Sequence, residues 1–365
     1  MLVWLLLGLL AAGHAGAAIG GPETPAPQGA TPIPVTPNAA PESTALLRLL
    51  YSISGRRTLT GQHNYPNTKD ASTLRAAETR GKVPAVFGQD FGFAAPGDKD
   101  AAAARPDMIA EVKRQYALGS IVTLCWHAVR PTDDEPVTFK ESVQGKLTDA
   151  QWKDLLTPGT ELYARWCAQV DVVAGYLKEL QAAKVPVLWR PYHEMNGGWF
   201  WWGGRPGEGG TAALYRQLFD RLVNHHKLNN LIWVWSVDRP VQPTMQFADY
   251  FPGTNCVDVA SLDVYRNDFN PSYYDGLLRV AGGKPVALGE VGPPPSPALL
   301  EEQPRWTWWM TWAHTLSSRP MQQDTNALRA LVNAPRSASL SDPDYFDLVA
   351  PIRAASGLPP RPGRQ

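Results

Sequence analysis

The feature that most constrains this chain is an eightfold alternation of short β-like runs with longer amphipathic ones. After a helix-like run near Ala45–Ile53, strand-like runs fall at Thr58–His63, Val83–Phe91, Ile121–His127, Val185–Glu194, Leu231–Val237, Val257–Tyr265, Pro285–Glu290 and Trp306–Trp312. Helix-like runs lie between or after them at Ala71–Thr79, Arg105–Leu118, Leu162–Ala183, Ala212–Leu228, Tyr273–Val280 and Asn326–Val332, with weaker ones at Phe247–Tyr250 and Ala298–Gln303. Strands separated by helices return to one parallel sheet through right-handed crossovers, and eight such units close on themselves. The pattern predicts an α/β fold, a single (β/α)8 TIM barrel with no internal repeat and no second domain.

The first residues do not share this pattern. Residues 1–18 carry an apolar run from Leu2 to Ala12 followed by small residues, as in a signal peptide cleaved near Ala17 or Ala18, so a secreted or periplasmic protein is expected. The run is too short to span a bilayer, and no membrane association beyond it is expected. Residues 19–43 are rich in Pro and Ala and predict a disordered linker, which places the start of the barrel domain near Thr44 and its extent at 44–365. The three cysteines, Cys125, Cys167 and Cys256, all lie in apolar settings, so at most one pair can bridge and buried thiols are expected.

A parallel barrel builds its site at the C-terminal ends of its strands. Those ends read Gln62-His63, Asp90, Trp126-His127, His193-Glu194, Asp238, Asp263 to Tyr265, Glu290 and Trp312, a mouth that is polar, acidic and aromatic all round. The densest stretch is VPVLWRPYHEMNGGWFWWGG, Val185 to Gly204: an apolar run that delivers Arg190, His193 and Glu194 and then breaks into a loop bearing Trp199, Trp201 and Trp202. With 34 basic and 34 acidic residues the formal charge is zero, which gives no electrostatic reason to expect nucleic acid and favours a neutral partner. Indole faces stack on the C–H faces of sugars, so a polysaccharide fits, although core packing accounts for most of the 14 tryptophans. Glu194 and Glu290 end apolar strands on different sides of the barrel. Desolvation and mutual repulsion let one carboxyl keep its proton while the other stays ionised, which supplies a general acid and a nucleophile. Either glutamate alone could instead form a structural ion pair with Arg190.

Taken together, RPYHEMNGGWFWWG, the WH ending the third strand, LDVYR at the sixth, KPVALGEVG at the seventh and WWMTWAH at the eighth resemble glycoside hydrolase family 26, best known for endo-β-1,4-mannanases. The resemblance runs in order from LTGQHN at Leu59 to NALRALVNAPR ending at Arg336. It implies a clan A barrel and a retaining mechanism with Glu194 as acid/base and Glu290 as nucleophile. It also implies that Tyr265 holds the nucleophile by a hydrogen bond, that Trp312 forms the floor beneath the reacting sugar, and that Trp199 and His127 contact substrate. His193 stands where most of the clan carries Asn and is counted with the substrate-binding residues. Arg190 is expected to brace the two glutamates from below. Asp90 and Asp258 match acidic positions of the family without an assigned role.

The chain departs from the pattern at Ala313, where some members carry an arginine that grips a distal sugar. The stretch Pro131–Lys146 has no clear counterpart, and Lys140 or Lys146 within it could supply a cation instead. A zinc hydrolase is disfavoured because the residue four after His193 is Gly197, which breaks the HExxH pattern. The expectation is therefore a retaining hydrolase of β-1,4-linked mannan, glucomannan or galactomannan, a monomer with no cofactor and no metal. An endo-xylanase, a mixed-linkage glucanase and a non-catalytic carbohydrate-binding protein are the alternatives.

Overall fold

The computed structural model describes residues 32–95, 99–313 and 324–361. Eight parallel strands form the core: β1 (Thr58–His63), β2 (Val86–Asp90), β3 (Ile121–Trp126), β4 (Val187–Pro191), β5 (Leu231–Asp238), β6 (Val259–Val264), β7 (Val286–Val291) and β8 (Trp306–Thr311). Each pairs with the next in chain order, and β8 pairs with β1 in the register Leu59 to Trp308, which closes the barrel. Every residue of these strands is buried. Helices cover the outer face and side chains fill the inner one, which is why the strands read as near-continuous apolar runs.

The outer helices begin and end on local chemistry. α1 (Pro41–Ile53), α2 (Ala71–Arg80) and α3 (Arg105–Leu118) precede β1, β2 and β3, and Gly81 and Gly119 end α2 and α3 in left-handed conformations. α4 (Asp149–Leu155) opens with a capping box in which Thr148 and Gln151 bond reciprocally. α5 (Glu161–Ala182) is the longest helix among the described residues, and Thr160 caps it. α6 (Thr211–Phe219), α7 (Pro271–Ala281), α8 (Pro297–Glu302) and α9 (Thr325–Asn333) complete the ring. A further helix, α10 (Tyr345–Ala355), which periodicity did not reveal, packs against α1 and buries Tyr345, Val349 and Ile352.

The packed chain begins before Thr44, which corrects the linker boundary. Val35 N donates to Asp258 Oδ1 at 2.8 Å, Ala40 N donates to Asn229 O at 2.8 Å, and Thr36, Glu42 and Ser43 are buried. Pro-rich composition argued for disorder, but α1 uses Pro41 at its first turn, where a missing N–H costs nothing. The expected signal segment and residues 19–31 lie outside the described residues. All three cysteines are free and buried.

Two local features aim the polar ends of the strands. Between β6 and β7 the register passes from Leu262 opposite Leu288 to Asp263 opposite Glu290, so Gly289 is an extra residue in β7. A Cβ on Gly289 would fall 2.7 Å from Asp263 Oδ1 and 2.8 Å from Ser261 Oγ, so only glycine leaves room for a carboxylate inside the barrel here. The second feature follows β4, which stops at Pro191 rather than running to Glu194 as expected. Tyr192 and Glu194 take left-handed φ values of 46° and 52°, uncommon for residues with a Cβ. The turn is held by Trp202 Nε1 on His193 O and Gly197 N on Glu194 O, both at 2.9 Å.

Candidate active site

The strand ends converge as the barrel geometry requires. An oxygen from each of Glu194, Asp263 and Glu290 lies within 4.8 Å of the other two, and all three residues are buried. Their partners differ. Glu290 Oε1 accepts from Arg190 Nη2, and its Oε2 accepts from Tyr265 Oη at 2.7 Å. Asp263 accepts from Arg190 Nη1 at 3.1 Å and from Ser236 Oγ at 3.0 Å. Among the described residues, Glu194 receives only the indole N–H of Trp199, at 2.6 Å on Oε2. Arg190 therefore bridges Glu290 and Asp263, which corrects the expectation that it braces Glu194 and Glu290. It leaves β4 inside the barrel, whereas Glu194 lies beyond the turn that ends that strand.

Charge counting decides where the proton sits. Among the described residues three carboxyls share one guanidinium, and Glu194 is the member without a cation. Burial, then Asp263, Glu290 and Asp238, push its carboxyl well above the ordinary range, against the pull of Trp199. Burial also pushes Asp263 up and Arg190 opposes it. Although burial disfavours its charge, Arg190 is held cationic by Glu290 and Asp263. The site thus pairs a glutamic acid pushed towards its protonated form with a glutamate gripped at both oxygens by two donors, an asymmetry that suits acid catalysis and nucleophilic attack.

The remaining expected residues surround this centre. Asp90 accepts from His127 Nδ1 at 2.7 Å and from the His127 backbone N–H at 3.0 Å, which fixes the imidazole. Burial works against the Asp90 charge, but His127 holds its carboxyl below the usual range. His127 meets His193 edge to face with ring centres 4.3 Å apart. Burial, helped by His127, Arg190 and His63, holds His193 well below the ordinary imidazole range, so it is neutral beside Glu290, 3.7 Å from Oε1. Trp312 stacks flat on His63 at 3.6 Å and lies 5.7 Å from His127, a wall of the same mouth. Trp199 is the half-buried aromatic beside the carboxyls. Trp201 and Trp202, expected beside it on the rim, are buried instead, their indole N–H groups on Ala128 O and His193 O. Asp258 lies at the opposite end of the barrel, where it caps Trp233 N and Val35 N.

The sequence reading gave Asp263 no role, although a spacing of two on one strand puts it on the same face as Tyr265. The Trp199 bond to Glu194 has no sequence signal, since it depends on Gly197 letting the ring fold back. A Cβ there would fall 2.1–2.3 Å from the indole. The carboxylate triad and the cluster Asp90, Cys125 and His127 have the ligand types and spacing for a metal. In both, protein donors already use the oxygens: Arg190 on Asp263 and Glu290, and His127 on Asp90.

Fold and site together define a (β/α)8 barrel with a two-glutamate centre at its C-terminal mouth. A family model described as glycosyl hydrolase family 26 matches residues 35–339, and the chain belongs to that family. The mannan endo-1,4-beta-mannosidase of Thermothelomyces thermophilus is 35% identical over 292 residues, 76% of this chain and 56% of that protein. This chain spans about half the length of that relative and of two mannan endo-1,4-beta-mannosidases of a Piromyces species, 56%, 45% and 48% respectively. Among solved structures, GH26A from a Muricauda species superimposes with a TM-score of 0.78 at 42% identity, covering 84% of this chain and 98% of that one. A beta-mannanase from a symbiotic protist of the termite Reticulitermes speratus, complexed with gluco-manno-oligosaccharide, gives 0.73 at 26% identity over 84% of this chain and 96% of that one.

Proposed function

We propose that the chain is a retaining endo-β-1,4-mannanase acting on mannan, glucomannan or galactomannan by double displacement. One observation carries the mechanism: Glu194 and Glu290 approach within 4.8 Å, and of the two only Glu290 has a cationic partner among the described residues. That approach fits the retaining separation of about 5–5.5 Å, whereas an inverting pair stands roughly 6.5–9.5 Å apart to admit a water. Glu290 attacks the anomeric carbon while Glu194 gives its proton to the departing glycosidic oxygen. Glu194, now ionised, then takes a proton from the water that releases the covalent sugar. Trp312, His127 and the half-buried Trp199 present the surfaces on which the sugar rings lie. The names of the relatives, mannan endo-1,4-beta-mannosidases among them, support mannan as the polymer. A polymer too large to enter a cell fits the export expected from residues 1–18.

The test is hydrolysis of mannan, glucomannan, xylan and mixed-linkage glucan side by side, with the first product followed by NMR. Internal cleavage of mannan with retained configuration is expected. Faster cleavage of xylan or mixed-linkage glucan would replace the substrate assignment, and an inverted first product would overturn the mechanism.

A further inference from the structure

The stretch Pro131–Lys146, which departs from the family pattern, meets the site through Phe139, whose ring lies 5.5 Å from His127, and through Lys146. Lys146 Nζ donates to Gly198 O and, at 3.4 Å, to Phe200 O. These two carbonyls flank Trp199, whose indole N–H is the sole side-chain hydrogen bond received by Glu194 among the described residues. The neighbours on either side of this segment are tied elsewhere: Asn196 to Asp238 O and Met245 O, Trp201 by its amide to Val143 O and by its indole to Ala128 O, and Trp202 to His193 O. Phe200 O also accepts from Gly203 N at 3.2 Å, within the same loop, and Lys146 ties Gly198 and Phe200 to the segment before α4.

Lys146 is itself held from behind. Arg130 Nη1 donates to Lys146 O at 3.1 Å, and its other nitrogens pair with Asp133. Gly145 permits this, because a Cβ there would fall 2.6 Å from Arg130 Nη1. The neighbouring cation is Arg205, which is turned to Asp149 and Leu147 O. An ammonium has three donors and no acceptor, so two converging carbonyls suit it, and a charged donor holds them more firmly than a neutral one.

We propose that Lys146 is a positioning residue for the acid/base: by holding the carbonyls on both sides of Trp199, it keeps the indole on Glu194 Oε2. This rests on the assignment of Glu194 as the acid, and it commits two of the three Lys146 donors to the loop rather than to a sugar. Among the described residues Asp263, Glu290 and Asp238 all disfavour the Glu194 charge, and the indole is the influence that favours it. Because Lys146 lies at the surface, its replacement should leave the barrel folded.

The readout is the titration of Glu194 in the free protein, followed by NMR of 13Cδ-labelled glutamate with the signal assigned through Glu194→Gln. It needs no turnover, so it stands apart from the test of hydrolysis. Losing the indole removes a hydrogen bond to the charged form, so Trp199→Phe should raise the Glu194 pKa by about one unit, and Lys146→Met by about half a unit or more. Lys146→Met should add nothing in the Trp199→Phe background. Lys146→Arg, which keeps a charged donor, should restore most of the wild-type value. An unmoved pKa in Lys146→Met, or an equal shift in both backgrounds, would overturn the proposal. Failure of both Lys146→Met and Lys146→Gln to fold would also overturn it, because the ammonium would then hold the fold and not the loop.

Discussion

Tyr265 donates its phenolic proton to Glu290 Oε2 at 2.7 Å, while Arg190 takes the other oxygen of the same carboxylate. Glu290, the proposed nucleophile, is thereby held at both oxygens, with a cation on one side. Tyr265→Phe removes one charge-assisted bond without changing packing, a loss of about 1.5–3 kcal/mol and so roughly tenfold to a hundredfold in rate. Steady-state kinetics on mannan would check this. A rate within twofold of wild type would show that Arg190 alone positions Glu290.

The two glutamates should separate by leaving group. Glu194→Ala should impair mannan, which needs a protonated leaving oxygen, far more than an activated aryl mannoside, and azide should restore its slow second step. Glu290→Ala should abolish both activities. Equal losses on the aryl substrate would reverse or void the assignment.

The Asp263 charge is the largest single-residue influence raising the Glu194 pKa, second only to burial. The acid must be protonated in the free enzyme, so activity is lost as pH rises through its pKa, and a raised value extends activity towards alkaline pH. Asp263→Asn removes a neighbouring negative charge, which should lower that pKa and move the alkaline limb of kcat/KM about one unit towards acid. A limb that stays in place or moves the other way would mean that burial alone sets the proton.

The N-terminal segment should contribute to stability. A chain beginning at Thr44 lacks the first turn of α1 and leaves Asp258 Oδ1 without the Val35 amide, a buried acceptor stripped of its donor. Against a chain beginning at residue 32, the shorter one should lose at least about 2 kcal/mol, from the unmet acceptor and the exposed apolar surface beneath the segment. Urea unfolding of the two would decide it, and equal midpoints would mean that the segment merely rests on the barrel.

The sequence by itself determined the barrel and the level at which the chemistry sits. Strands buried on both faces are mostly apolar until they emerge, so the polar and aromatic residues at their C-terminal ends, Glu194, Glu290, His127 and Trp312 among them, stood out from runs such as Val286 to Leu288. The family resemblance carried by motif order supplied the proposed roles. What only the tertiary structure decided was pairing across the barrel. Arg190 and Asp263 are 73 residues apart and meet because β4 and β6 both face inward. Gly289 shifts the register of β7 so that Glu290 comes opposite Asp263. Trp199 reaches Glu194 through a left-handed turn and a glycine, and Lys146 holds it from a loop more than fifty residues earlier, 52 from Gly198. Periodicity reports which face of an element is buried, and it carries no record of which polar group a buried charge will find there. The same limit hid the packing of Val35 and Thr36, whose Pro-rich context promised disorder. Their order comes from Asp258 and the barrel floor, which the chain supplies far later, 223 residues on in the case of Val35 and 195 in the case of Thr36.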